Sequence, residues 1–107
     1  MAVSRIQVPK QAKRGELMLV RIAIQHPMET GFRFDNGGRA IPKNVVNTLT
    51  CRYNDVEVFR AEMGSGISAN PYLQFYTRAL QSGELVFEWI DDAGERGSER
   101  VALTVTA

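Results

Sequence analysis

The chain has 107 residues and is 44% hydrophobic, which suits one domain with a modest core and is too apolar for disorder. Lys and Arg number 13 against 12 Asp and Glu, a net charge of +1, so there is no electrostatic footprint for nucleic acid or an acidic membrane. The single cysteine cannot form an internal disulfide or build a cysteine-rich metal site.

Period-two alternation dominates, and no window sustains helical spacing. Arg5 to Val8 reads as a short strand stopped by Pro9, followed by a basic connector from Lys10 to Arg14 and a turn at Gly15. Glu16 to Gln25 is the strongest strand. Met18, Val20, Ile22 and Ile24 share one parity, and Leu17, Leu19, Arg21, Ala23 and Gln25 share the other.

An irregular region from His26 to Lys43 follows. Phe32 and Phe34 alternate with Arg33 and Asp35, then Asn36-Gly37-Gly38 turns the chain, so a hairpin returning through Ala40-Ile41 is expected. Val45 to Tyr53 is the next strand, with Val45, Leu49, Cys51 and Tyr53 on one parity, and Asn54-Asp55 turns into a strand from Val56 to Ala61. Met63 to Pro71 is a second irregular region. Asn70, preceding Pro71, is expected in extended backbone with its amide outward.

Tyr72 to Ala79 reads as a strand with Leu73 and Phe75 inward. Glu84 to Ile90 follows with Leu85, Phe87 and Trp89 on one face. Asp91-Asp92-Ala93-Gly94 is a hairpin tip with Gly94 in the left-handed position, and Ser98 to Thr106 closes with Val101, Leu103 and Val105 inward. About seven short strands at this spacing predict an all-β fold, an immunoglobulin-like antiparallel β-sandwich, as a single domain over residues 1–107.

One feature departs from a water-facing sheet. Leu17 and Leu19 on one strand and Tyr72 and Tyr76 on another fall on outward parities, and an immunoglobulin-like order makes those strands neighbours. The patch is either a protein interface or is covered by the 26–43 loop through Phe32 or Phe34.

The reactive residues are sparse. His26-Pro27-Met28-Glu29-Thr30-Gly31 gathers an imidazole, a thioether and a carboxylate. A zinc site needs roughly three or four protein ligands and copper(I) favours more sulfur, so a docking or structural loop outweighs a metal site using His26 and Met28. Cys51 sits mid-strand on the apolar parity, which favours a buried, inert thiol, with a bridge to another chain as the alternative. No nucleophile elbow or phosphate-cradling loop is present, so no catalytic residue and no cofactor is expected.

Four strings are more specific. His26-Pro27-Met28-Glu29-Thr30-Gly31, Ile67-Ser68-Ala69-Asn70-Pro71-Tyr72-Leu73, Ser82-Gly83-Glu84 and Trp89-Ile90-Asp91-Asp92-Ala93-Gly94 resemble the SoxZ family, as do Val8-Pro9-Lys10 and Gly15-Glu16. The resemblance covers essentially the whole chain. It implies an immunoglobulin-like, non-catalytic subunit that forms a heterodimer with SoxY. SoxY carries sulfur intermediates on the cysteine of a glycine-rich C-terminal arm during thiosulfate oxidation. It further implies transient docking to periplasmic Sox enzymes. The opening residues lack an uninterrupted apolar run, and no stretch approaches the ~18 apolar residues of a membrane span. Taken alone that suggests a cytoplasmic protein, but the resemblance implies a periplasmic one without its own signal peptide, exported with SoxY. The implied partner interface comprises Leu17, Leu19, His26, Met28, Glu29, Asn70, Tyr72 and Tyr76, with Cys51 as a possible interchain thiol.

Overall fold

A computed structural model describes residues 3–107. Residues 1 and 2, the start of the segment read above as lacking an apolar run, lie outside the described residues. The described chain forms eight strands: β1 (Val3–Gln7), β2 (Gln11–Lys13), β3 (Leu17–Gln25), β4 (Val46–Tyr53), β5 (Val56–Glu62), β6 (Tyr72–Arg78), β7 (Gly83–Asp91) and β8 (Arg96–Thr106). They make two sheets, one ordered β1-β3-β6 and one ordered β2-β8-β7-β4-β5. The all-β, immunoglobulin-like sandwich expected from the alternation is the fold observed.

The strand not foreseen is β2. The segment from Lys10 to Arg14, expected as a connector, contains three residues that pair in parallel with Thr104, Val105 and Thr106. Three residues are too few for alternation to register as a signal. Pro9 ends β1, and the chain crosses there from one sheet to the other; Ala12 is buried on arrival.

The core forms where the expected parities meet. Met18, Val20, Ile22 and Ile24 of β3 are all buried, opposite Leu49 and Cys51 of β4 and Leu85 and Phe87 of β7. Burying such side chains contributes about 1.5–3 kcal/mol each, which opposes the chain's ordering entropy. Phe59 of β5 stacks on Phe75 of β6, with ring centroids 4.3 Å apart, and joins the two sheets along one edge. Trp89 is buried against Gly97, its cross-strand partner: a Cβ on Gly97 would lie 2.2 Å from the indole, so only glycine fits there. Tyr53 anchors the β6–β7 turn, its hydroxyl accepting from the backbone N–H of Leu80 and Gln81 and donating to the Gln81 carbonyl.

The Phe32–Phe34 hairpin is reduced to one bridge, Phe34 with Ala40, around an Asp35-to-Gly38 turn in which Asp35 Oδ1 accepts from the N–H of Gly37 and Arg39. Both phenyl rings point to solvent, Phe32 81% and Phe34 68% exposed. The loop therefore does not cover the outer face of β3 and β6.

Candidate functional site

Two places hold the residues singled out by sequence: the loop-bearing end of the sandwich and the outer face of the β1-β3-β6 sheet. At the loop end, His26 closes β3. It is buried, and every polar atom of its ring is engaged. Nδ1 accepts a 2.9 Å hydrogen bond from the Met28 N–H, so the ring proton sits on Nε2, which donates across 3.1 Å to Asp91 Oδ2 at the end of β7. Its backbone is clasped by Asn70: the His26 N–H donates to Asn70 Oδ1 at 3.0 Å, and the Asn70 N–H donates to the His26 carbonyl at 2.7 Å. One residue thus joins the 26–44 loop, the 63–71 loop and the β7–β8 turn.

This geometry corrects three expectations. His26 and Met28 were placed in a partner-facing loop, yet both are buried. Met28 turns inward at φ 53°, where its sulfur accepts from the Val46 N–H at 3.3 Å. Asn70 was expected in extended backbone with a free amide. It adopts φ 55° instead, because the two bonds to His26 outweigh the preference imposed by Pro71, and asparagine tolerates the left-handed region. Glu29 is half-buried and holds Arg33 through two bonds of 2.9 and 3.0 Å.

The Asp91–Gly94 tip forms as expected, with Gly94 at φ 85°. Burial pushes the Asp91 carboxyl upward, but hydrogen bonds from His26 and the Glu95 N–H outweigh it and leave the carboxyl below the usual carboxylate range. Asp92 is also lowered, chiefly by hydrogen bonds from Asn47 and the Val45 N–H, with Lys43 nearby.

Both candidate metal ligands, His26 and Met28, are already engaged. The imidazole lone pair is taken by Met28 N–H and the thioether by Val46 N–H, so a cation would have to displace backbone hydrogen bonds. Cys51 is fully buried in β4, and desolvation pushes its thiol up to about 12. Such a thiol is not nucleophilic at neutral pH, and it does not reach the surface where a second chain could bridge to it.

The outer sheet face matches the expectation more closely. β3 and β6 are neighbours, with Leu19 opposite Tyr76 and Ala23 opposite Tyr72. Leu17 is 51%, Tyr72 55% and Tyr76 60% exposed, and Leu19 is half-buried between them. Among the described residues no loop shields these groups.

Solved structures share the fold. Superoxide reductase (neelaredoxin) from Ignicoccus hospitalis superposes with a TM-score of 0.73 at 19% identity, over 96% of this chain and 80% of that one. The sulfur carrier protein SoxY from Chlorobium limicola f thiosulfatophilum gives 0.66 at 14% identity, over 97% and 79%. A variant neelaredoxin from Archaeoglobus fulgidus gives 0.63 at 18% identity, over 95% and 87%. At these identities the likeness is one of fold alone. No curated protein matches the sequence. Residues 6–102 match the family described as sulphur oxidation protein SoxZ, and with nearly its whole length inside that match the chain belongs to the SoxZ family, with a role in sulfur oxidation.

Proposed function

We propose that this chain is the non-catalytic subunit of a heterodimeric sulfur carrier and pairs with a SoxY-type chain. The partner's arm cysteine would hold the sulfur intermediates covalently, and this subunit would help present them to Sox enzymes. The observation that carries the reading is the uncovered apolar and aromatic face formed by Leu17, Leu19, Tyr72 and Tyr76, in a chain of the SoxZ family. Sheets that face water read polar on that side, and aromatic clusters of this kind are enriched at interfaces.

The buried Cys51 supports the same division of labour. A thiol raised to about 12 is poorly suited to carrying sulfur, so the carrier cysteine belongs to the partner. The place of action is the periplasm, reached by export with SoxY.

Co-expression with a SoxY-type chain tests the reading. A stable 1:1 complex is expected, and in cell fractions this chain should follow its partner into the periplasm. A monomeric chain with no affinity for SoxY would overturn the proposal.

A further inference from the structure

The two outer faces of the sandwich differ in charge as well as in polarity. On the larger sheet three of the four arginines are matched and carboxylates abound: Arg52 meets Glu88 at 2.8 Å, Arg60 meets Glu57 at 2.9 Å and Arg100 meets Glu84 at 2.5 Å, while Arg96 at the start of β8 has no ion pair among the described residues. Strands β1, β3 and β6 contain Arg5, Arg21 and Arg78 and no aspartate or glutamate. All three arginines are exposed, and none has a carboxylate within ion-pair distance among the described residues. Arg78 donates to the Gly15 carbonyl, at 2.9 Å.

The register places them in a pattern. Arg5 pairs with Ala23, which pairs with Tyr72; Arg21 lies between Gln7 and Gln74; Arg78 pairs with Leu17. Each strand supplies one guanidinium, and the three run diagonally across the face with Leu19 and Tyr76 between the last two. Two shallow depressions adjoin them, one bounded by Val8, Pro9, Leu19 and Arg21, the other by Val3, Arg5 and Asn70.

We infer that this face is built for a heterologous protein partner whose contacting surface carries carboxylates opposite Arg5, Arg21 and Arg78 around an apolar centre. The same arginines disfavour pairing of two copies of this chain through it. This rests on the proposal that the face is a subunit interface and adds what the partner must look like. A two-fold contact sets the same patch against itself, which here brings six guanidinium groups together with no carboxylate among them. Like charges facing one another suppress wrong partners, whereas guanidinium forks meet carboxylates in bidentate geometry. Tyrosine and arginine together, with acidic residues absent, is also the composition found at protein interfaces.

The test measures affinity for a SoxY-type chain at low and high salt. It compares the unmodified protein, Arg21→Glu/Arg78→Glu, the milder Arg21→Gln/Arg78→Gln, and Arg39→Glu on the exposed loop as a control. The unmodified complex should weaken as salt rises. The double reversal should weaken it at least about tenfold, the glutamine pair less, and the control by less than about twofold. Both double variants should melt with the unmodified chain. A complex that forms but responds alike to the double reversal and the control overturns the inference and leaves the pairing standing. Absence of any complex with the unmodified chain overturns the pairing and the inference with it. Dimerisation of the unmodified chain that Tyr76→Ser abolishes, or binding to phosphatidylglycerol vesicles that the double reversal abolishes while the complex is unaffected, also overturns it.

Discussion

His26 and Asp91 form a buried pair, 3.1 Å between Nε2 and Oδ2, that ties the end of β3 in one sheet to the end of β7 in the other. Because the same ring also accepts from Met28, removing it breaks two restraints at once. His26→Ala leaves the Asp91 carboxylate buried without its main partner and should cost about 2–4 kcal/mol of unfolding free energy. Urea denaturation checks this. A loss below about 0.5 kcal/mol, the range of an ordinary surface change, would show that the pair holds little.

Acid should reveal the same pair. Asp91 lies below the ordinary carboxylate range in the folded chain, so the folded state binds its proton less readily than the unfolded state. Its contribution is therefore complete above the unfolded carboxyl pKa and disappears as pH falls through the lower folded value. Asp92 acts in the same sense. Urea midpoints measured from neutral pH into the acid range should fall less steeply for Asp91→Asn than for the wild type.

Cys51 offers a clean readout of core integrity. With its thiol pushed up to about 12 by burial, it should label slowly in the native protein at neutral pH and rapidly in denaturant. A non-reducing gel of the complex should show no bridge to a second chain. Fast native labelling would contradict the placement in β4.

Gly97 should tolerate no side chain. Even the methyl of Gly97→Ala meets the Trp89 ring, so the indole must shift, at a cost of about 1–3 kcal/mol. Tryptophan fluorescence and thermal unfolding should change together.

The aromatic pair on the outer face should behave oppositely. Tyr72→Ser/Tyr76→Ser removes exposed groups and should leave stability nearly unchanged, within about 0.5 kcal/mol. It should nonetheless weaken pairing with a SoxY-type chain by tenfold or more, about 1.4 kcal/mol. Thermal melts and a binding titration of the same variant separate the two effects.

The alternation of β3 was legible because one face of a sheet must be apolar to be buried, and nine residues repeat that requirement often enough to be seen. The exposure of Tyr72 and Tyr76 followed from the same parity. The β2 pairing was invisible, since Gln11-Ala12-Lys13 offers one apolar residue and a partner some ninety positions away. The inward turn of Met28 was equally hidden. A histidine and a methionine near a proline read as a loop surface, and only the approach of Asp91 and Val46, distant in sequence, gives those polar atoms a reason to be inside. The hairpin-tip reading of Asp91 was right about the turn but did not foresee its carboxylate reaching into the interior.

The crossing at Pro9 has a consequence for how the molecule can come apart. Residues 3–13 border both sheets, lying along β3 on one and β8 on the other. A single proteolytic cut that frees this segment would expose two rows of unpaired backbone N–H and C=O groups together, on opposite layers, each able to recruit a strand from a neighbouring molecule. The segment serves as a hem, and its loss would turn a self-contained sandwich into a fibre-forming unit while leaving the hydrophobic core largely in place.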